Sequence, residues 1–331
     1  MQVLLTFDYE LFFGSNSGSV EKCILEPTNS LLDFCRKQSI SMTFFIDVGY
    51  LLKLEEYAPK YPQLADDLSR VKLQIHEMIE LGCSVQLHIH PHWEKSVHDG
   101  TKWHIITDGC YKLSDFPQDE METIVRKYYH YLAQLTQQKV HSFRAGGWCI
   151  QPFFNLRNVF KELGIVIDSS VFPGGKFESP HYAFDFTAVQ PFSSAYSFEE
   201  DVCQEQSTGS FTEYPIASWK YSPLFYWQLY GWGKVNPKQH KMIGDGSFLA
   251  QPGRKQAVLT QFTWNHVSSD GFYAGMLKRQ AKTYHQKGLE HFVVIGHPKG
   301  LTLYALSQLD KFIRQHKNKY TFTSFSQLLC N

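Results

Sequence analysis

The chain has 331 residues, of which 43% are hydrophobic and 19% charged, so a folded core is expected and intrinsic disorder is excluded. Lys and Arg together number 32, as do Asp and Glu; this balance argues against a domain built around nucleic acid or an anionic membrane and favours a small or uncharged ligand. The seven cysteines include no C-x-x-C pair, which argues against a thiolate zinc site and a disulfide framework.

The first ten residues, MQVLLTFDYE, are not typical of a signal peptide. They have no basic region, and Asp8 and Glu10 interrupt the apolar run early. No apolar run approaches the length of about 20 residues that a membrane-spanning helix needs. We therefore expect a cytoplasmic protein without a transmembrane segment.

Short apolar runs alternate with segments of helical period along most of the chain. The predicted strands are 2–8, 41–47, 84–90, 141–147, 165–170, 257–264 and 292–298. The predicted helices are 27–38, 63–82, 118–138, 152–163, 271–287 and 302–317. This alternation predicts about seven βα units around a parallel sheet, in a single α/β domain spanning residues 1–331.

Residues 172–255 interrupt the alternation and are rich in Pro, Gly, Ser and aromatic residues. We interpret them as a long insertion after strand five, with one strand at 210–218. A connection of this length either has structure of its own or covers a site. Its rings either cover a sugar site or pack within the insertion; they include Trp219, Tyr221, Trp227 and Trp232.

Polar side chains follow the predicted strands at the points where the strands end. These residues are Asp8, Glu10, His88, His90, His92, Arg144, Trp148, Asp168 and His297. Because parallel strands of an α/β barrel point their carboxyl ends at one opening, we expect these side chains to meet in one cleft.

The three histidines of SVQLHIHPHW recur at every second position. In a continuous strand, His88 and His92 would lie about 13 Å apart, too far to share an ion whose bonds to nitrogen are about 2.1 Å long. Either His88 and His90 bind a metal while His92 points away, or the chain turns after His90, which Pro91 favours. Spacing alone leaves both pairs open.

Two imidazoles with one carboxylate are typical of a hydrolytic metal site and also suit non-haem iron. Either Asp8 or Glu10 can supply the carboxylate, because they share a strand face. The other can remain an anionic base beside Arg144, since a neighbouring guanidinium lowers a carboxyl pKa and orients the group.

The ordered motifs of the chain resemble those of the polysaccharide deacetylases, carbohydrate esterase family 4, in their cytoplasmic-type branch. The matching segments are TFDYE (6–10), HIHPH (88–92), FRAGGW (143–148), IDSSVF (167–172) and VIGH (294–297). They extend over nearly the whole chain. The resemblance implies a distorted (β/α)7 barrel and a divalent metal, with zinc the expected ion.

The resemblance also implies a role for each matching residue. Asp8 corresponds to the general base and Arg144 to its partner, while His297 corresponds to the general acid and Asp168 to the carboxylate that tunes it. The implied metal ligands are Glu10, His88 and His92, with Glu10 replacing an aspartate that usually follows the base directly, where this chain has Tyr9. The predicted substrate-binding residues are Trp93, Trp148 and Phe172.

These assignments predict a metal-dependent hydrolase that removes an N-acetyl group from an amino sugar or glycan precursor. We expect a small-molecule or lipid-linked amino-sugar substrate and no nucleic acid. The alternatives are another C–N hydrolase acting on a cyclic amide or ureide, a glycosidase, and a non-catalytic sugar-binding relative.

Overall fold

The computed structural model describes residues 1–179, 181–249, 251 and 253–329. Its strands are β1 (Gln2–Tyr9), β2 (Thr43–Asp47), β3 (Ser84–Ile89), β4 (Val97–His98), β5 (Trp103–His104), β6 (Ser142–Ala145), β7 (Ile167–Asp168), β8 (Lys176–Glu178), β9 (Ala183–Asp185), β10 (Tyr196–Phe198), β11 (Phe211–Glu213), β12 (Ser218–Tyr221), β13 (Thr263–His266), β14 (His291–Gly296) and β15 (Thr321–Thr323). Its α-helices are α1 (Glu26–Gln38), α2 (Val48–Tyr57), α3 (Pro62–Glu80), α4 (Gln118–Thr136), α5 (Arg157–Leu163), α6 (Pro223–Val235), α7 (Pro237–His240), α8 (Arg254–Thr260), α9 (Leu277–Gln286), α10 (Leu303–His316) and α11 (Phe325–Leu328).

The central feature is a curled, mostly parallel sheet. Within the described residues nine strands form it, in the order β10-β11-β7-β6-β3-β2-β1-β14, with β15 also paired to β1. Only the β10–β11 pairing is antiparallel among these. A single parallel bridge joins Ile216, which follows β11, to Val293 of β14. This bridge brings the two ends of the strand order towards each other and curls the sheet into a partial barrel.

The middle strands are buried on both faces, which explains their continuous apolar sequence. Every residue of β2 and β3 is buried, as are all residues of β1 except its first. The helices α3 and α4 pack on this sheet at β3. The helix α5 ends at Gly164, whose φ of 72° is the left-handed conformation that favours glycine at a helix end.

The mixed α/β fold and its parallel sheet confirm the predicted class, and the seven-unit barrel and the insertion at 172–255 stay predictions. The predicted strand at 257–264 is wrong, because residues 254–260 form the helix α8 and the strand begins at Thr263. A short apolar run does not distinguish a strand from a helix by periodicity. Residues 172–255 also contain more structure than the one predicted strand, namely β8 to β12, α6 and α7.

Candidate metal centre and active site

A cavity of about 630 Å³ opens beyond the carboxyl ends of β1, β3 and β14. Its polar floor includes Asp8, Glu10, His88, His90 and His297. These residues lie at or just after the ends of three different strands. Neighbouring parallel strands end on the same side of the sheet, which is why the sequence predicts that the residues lie together.

Three buried side chains on this floor can share one ion. The Oε2 atom of Glu10 lies 3.1 Å from Nε2 of His88 and 2.6 Å from Nε2 of His90. One donor atom from each of these three residues lies within 4.8 Å of the other two. Two imidazole nitrogens and one carboxylate oxygen form a donor set that suits zinc.

The hydrogen bonding of His88 fits such an ion. Its Nδ1 atom lies 2.8 Å from the backbone carbonyl oxygen of Arg144, which only accepts, so Nδ1 carries the hydrogen and Nε2 faces Glu10. A backbone carbonyl behind a histidine is the usual arrangement that orients a metal ligand. Burial opposes protonation of His88, but Asp8, Glu10 and Asp47 together raise its pKa to about 9. Because the surrounding carboxylates favour positive charge at Nε2, this nitrogen can either carry a proton or bind a metal ion.

His92 lies apart from the carboxylate. The chain does turn where Pro91 was expected to turn it, because a 3₁₀ helix spans Pro91–Glu94 after β3 ends. This turn carries the His92 ring between Phe13 and Tyr111, at centroid distances of 4.5 and 5.8 Å. Neither ring nitrogen has a hydrogen-bond partner among the described residues, and burial lowers its pKa well below the ordinary value. The geometry therefore brings His90, and not the predicted His92, to Glu10.

Gly146 allows His90 to occupy this position. A Cβ atom at residue 146 would lie 2.6 Å from Nδ1 of His90 and 2.6 Å from the carbonyl oxygen of Ile89, closer than real side chains approach. The residue directly after β6 therefore has to be glycine for the imidazole to reach the carboxylate. The predicted FRAGGW motif thus contributes backbone space as well as Arg144.

Lys299 is a buried cation beside the cluster. Its Nζ atom lies 2.9 Å from Oε1 of Glu10 and also donates to the carbonyl oxygen of Leu11. Burial raises the pKa of Glu10, but Lys299 and the two histidines outweigh it and hold that pKa well below the ordinary value. Because Lys299 binds one carboxylate oxygen and the histidines face the other, Glu10 remains ionised with Oε2 available as a ligand.

The predicted base and its partner form a buried ion pair. Nη1 of Arg144 lies 2.8 Å from Oδ1 of Asp8. The guanidinium also donates to the carbonyl oxygen and the hydroxyl of Ser169 and lies over the ring of Phe45 at 4.3 Å. These contacts fix Asp8 with its Oδ2 atom 3.7 Å from Nε2 of His297, so base and acid candidates face each other across the floor.

Asp270 orients His297. Its Oδ2 atom accepts from Nδ1 of His297 at 2.7 Å, and its Oδ1 atom accepts from the backbone nitrogen of His297 at 2.8 Å. Burial opposes protonation of the imidazole, but Asp270 first and then Asp8 and Glu10 raise its pKa. This carboxylate was missed because the strand that leads to it was predicted six residues too early.

Asp168, which the sequence predicts as the partner of His297, has different neighbours. Its carboxylate accepts from the backbone nitrogen and the hydroxyl of Ser170, at 3.0 and 2.8 Å. Glu213 lies beside it, and burial, together with the carboxylate of Asp168, raises the pKa of Glu213 well above the ordinary value. The geometry pairs Asp168 with Glu213 at the β7–β11 junction.

The predicted substrate residues separate into three environments. Trp148 lines the cavity, with its ring centroid 5.0 Å from that of His266, another lining residue that sequence reasoning missed. Phe172 lies behind Trp148, at 5.5 Å, and lines an adjoining smaller cavity. Trp93 is fully buried and donates from Nε1 to Asp47 at 2.6 Å, a core position.

The outer wall of the cavity comes from residues within 172–255 and just beyond them. Lining side chains include Tyr182, Tyr226, Tyr230, Phe272 and Tyr273. Of the rings singled out in the sequence, Tyr221 is buried in a small cluster with Phe225 and Tyr226, whereas Trp227 and Trp232 are exposed. Residues 172–255 thus line the site with Tyr182, Tyr226 and Tyr230, and not with Tyr221, Trp227 or Trp232.

Known structures share this architecture at low sequence identity. A structure from Mycobacterium smegmatis assigned as a polysaccharide deacetylase is 15% identical, and the match covers 99% of this chain and 88% of that one with a TM-score of 0.54. The fold resembles that of the polysaccharide deacetylases. The resemblance predicted from five motifs is confirmed for the fold, and similarity at this identity concerns the fold alone.

Two further structures are similar to this chain at 11% sequence identity. An allantoinase is 11% identical, over 98% of this chain and 88% of that one, with a TM-score of 0.50. A family 4 carbohydrate esterase pseudoenzyme from Bacillus anthracis is 11% identical, over 99% of this chain and 65% of that one, with a TM-score of 0.44, too weak a similarity to bear on the fold. No protein-family model and no curated protein sequence matches the chain. Among the helices of the described residues, none combines the length and apolarity needed to cross a bilayer.

Proposed function

We propose that the protein is a metal-dependent hydrolase that removes an N-acetyl group from an amino sugar or glycan precursor. The observation that carries this proposal is the convergence in one cavity of three ligand candidates with a held carboxylate and a held imidazole. The ligand candidates are Glu10, His88 and His90; Arg144 holds Asp8, and Asp270 holds His297.

Glu10, His88 and His90 would hold a divalent ion, with zinc the favoured identity, and its chemistry when bound is to lower the pKa of a water molecule and to polarise the acetyl carbonyl. The donor set supports this because His88 presents Nε2, with its other nitrogen engaged by Arg144. Lys299 keeps Glu10 ionised and so keeps it competent as a ligand.

Asp8 is the proposed general base. Its carboxylate is buried and held by the Arg144 guanidinium at 2.8 Å, and its second oxygen faces the cavity floor. A carboxylate fixed in this way can accept a proton from attacking water without first having to reorient.

His297 is the proposed general acid. An amine leaves an amide only when it is protonated, so a proton donor on the side of the leaving group is needed. Asp270 stabilises the protonated imidazole by hydrogen bond and charge, and Asp8 lies 3.7 Å away. His297 can therefore pass its Nε2 proton to the leaving nitrogen, and the proton that Asp8 has taken from water can replace it.

The cavity supports a sugar-sized substrate. A volume of about 630 Å³ lies in the usual range for small-molecule sites, and its walls combine aromatic rings with a polar floor, as such sites do. Trp148 and Tyr230 offer flat apolar faces beside the floor, suited to the apolar face of a pyranose ring.

One observation favours a second candidate, a metal-free C–N hydrolase acting on a cyclic amide or ureide. Lys299 supplies a positive charge at Glu10, and a proton on His88 can satisfy Nε2, so the floor is electrostatically complete without a metal ion. In that case Asp8 and His297 would have the same roles, with the ammonium and imidazolium groups stabilising the developing oxyanion.

The decisive experiment joins metal analysis to product detection. Purified protein would be assayed for bound metal and for acetate released from N-acetylated mono- and oligosaccharides, with Asp8→Asn protein as the inactive control. Metal together with Asp8-dependent acetate supports the deacetylase. Ring opening of a cyclic ureide that persists after chelation supports the second candidate, and absence of both reactions contradicts hydrolase function at this site.

A further inference from the structure

The helix α6, PLFYWQLYGWGKV, carries large apolar side chains on its outward side as well as on its buried side, and Gln228 and Lys234 are its polar residues. Phe225 and Tyr226 face inward and are buried. Leu224, Trp227 and Val235 face outward with 65, 59 and 77% of their surface exposed. Their spacing of three and eight residues puts them on one side of the helix. Large apolar side chains on the outward side of a helix normally have apolar material against them.

The outward apolar surface continues onto the neighbouring helix. Nε1 of Trp227 donates to the carbonyl oxygen of Leu259 in α8, and Phe262, two residues after the end of α8, is 65% exposed. We name the surface formed by Leu224, Trp227, Val235 and Phe262 the α6 face.

Positive charge surrounds this face. Lys234, Lys238 and Lys241 are exposed on α6, on α7 and directly after α7. From Trp219 to Phe262 the chain has six basic residues and a single acidic one, Asp245, whose carboxylate is occupied by Ser19. In the described parts of the chain, none of these six makes an ion pair. The overall charge balance thus conceals a local basic surplus.

We propose that the α6 face docks on an anionic lipid bilayer, with α6 lying in the plane of the interface. Exposed tryptophan, leucine and valine with flanking lysines match the two layers of such an interface, since the apolar side chains enter the acyl boundary and the ammonium groups meet anionic headgroups.

Two other occupants fit less well. A second copy of the chain packed symmetrically on this face would bring the same lysines against each other, and like charges repel. Nucleic acid would match the lysines, but its phosphates and bases leave Leu224 and Val235 without apolar partners.

Docking would also orient the cavity. Tyr226, Leu229, Tyr230 and Gly233 of α6 line the cavity wall on the side opposite the exposed surface, and Lys255 does so from α8. The cavity would then lie behind α6, close to the bilayer surface. The docking itself does not depend on the proposed hydrolase chemistry.

The test is co-flotation of the full chain with phosphatidylcholine vesicles, with and without phosphatidylglycerol, at low salt. We expect the wild-type protein to float with the anionic vesicles only. Lys234→Gln, Lys238→Gln and Lys241→Gln together should weaken partitioning about five-fold per lysine, or roughly a hundred-fold in all. Leu224→Ser with Val235→Ser should also release the protein, whereas Leu73→Ser and Lys311→Gln, exposed on other helices, should have no effect.

The proposal is overturned if the wild-type protein floats with neither vesicle, or if it floats equally with both. It is also overturned if the triple lysine variant or the Leu224/Val235 variant floats like the wild type. Dimerisation abolished by Leu224→Ser would assign the face to a second copy, and binding to single-stranded DNA in place of vesicles would assign it to nucleic acid; either result contradicts the bilayer. Acetate release measured on a soluble sugar in the same variants should stay at wild-type level, which separates a failure of docking from a failure of the proposed function.

Discussion

Asp270 and His297 are joined twice, through the imidazole Nδ1 at 2.7 Å and through the backbone nitrogen at 2.8 Å. The carboxylate raises the pKa of the imidazole against the opposing effect of burial. Asp270→Asn should therefore lower that pKa. Because the general acid works only when protonated, activity falls as the pH rises through this pKa, and the fall should begin at lower pH in the variant. The pH profile of kcat/KM measures the shift.

The matched variant is Asp168→Asn. Since Asp168 contacts Ser170 and lies beside Glu213, its replacement should leave the alkaline side of the profile in place and lower stability instead. If the alkaline fall in activity begins at lower pH in Asp168→Asn and is unchanged in Asp270→Asn, the assignment made from the motifs is restored.

His90 and His92 allow a direct comparison of two neighbouring imidazoles. His90→Ala removes a nitrogen 2.6 Å from Glu10, and we expect metal affinity to fall by roughly a hundred-fold or more, since even outer contacts of a metal site are worth 10–100-fold. His92→Ala should keep bound metal, because its ring lies against Phe13 and Tyr111. Competition titration with a chelating dye measures both. Loss of metal in His92→Ala alone would show that the motif-based ligand pair is right.

The Asp8→Asn substitution tests the general base. The amide oxygen still accepts from Arg144, so the protein should fold, although with reduced stability because the buried guanidinium loses its counter-charge. Metal content should be retained, whereas kcat should fall by about 10²–10⁴-fold. A variant of near wild-type rate would exclude Asp8 as the base.

Lys299 and a bound metal ion should each offset the negative charge of the Glu10 carboxylate. Lys299→Met leaves Glu10 buried without its ammonium partner, and breaking such a pair costs about 3–5 kcal/mol. We expect this loss in the free energy of unfolding after chelation, and a much smaller loss when zinc is present. Urea denaturation in both conditions, with Lys311→Met as the exposed control, measures the difference. Equal losses with and without zinc would mean that no ion binds at Glu10.

The pair of Glu213 and Asp168 predicts a pH dependence of stability. Because the pKa of Glu213 is raised in the folded state, its contribution to stability is complete below the unfolded pKa and is lost as the pH rises towards the folded pKa, at about 1.4 kcal/mol per pH unit while only the unfolded chain ionises. Glu213→Gln keeps a donor for Asp168 and removes this titration. The stability of the variant relative to wild type should therefore rise between pH 5 and pH 7. Glu205→Gln, on an exposed loop, should show no such trend.

The sequence by itself determined the class of fold and the place of the site. Buried apolar strands alternating with amphipathic helices require a parallel sheet, and the carboxyl ends of parallel strands necessarily face one way. Asp8, Glu10, His88 and His297 were therefore expected on one edge of the sheet.

Only the tertiary structure decided which neighbours those residues have. The choice of His90 over His92 depends on how far a 3₁₀ turn rotates the chain after Ile89 and on the space that Gly146 leaves, and neither is set by the spacing of histidines. Asp270 and Lys299 reach the site from segments whose positions depend on packing against β14 and β1. Contacts between residues far apart in sequence depend on the direction of each side chain, and a one-dimensional pattern specifies which strand carries a group but not the angle at which it points.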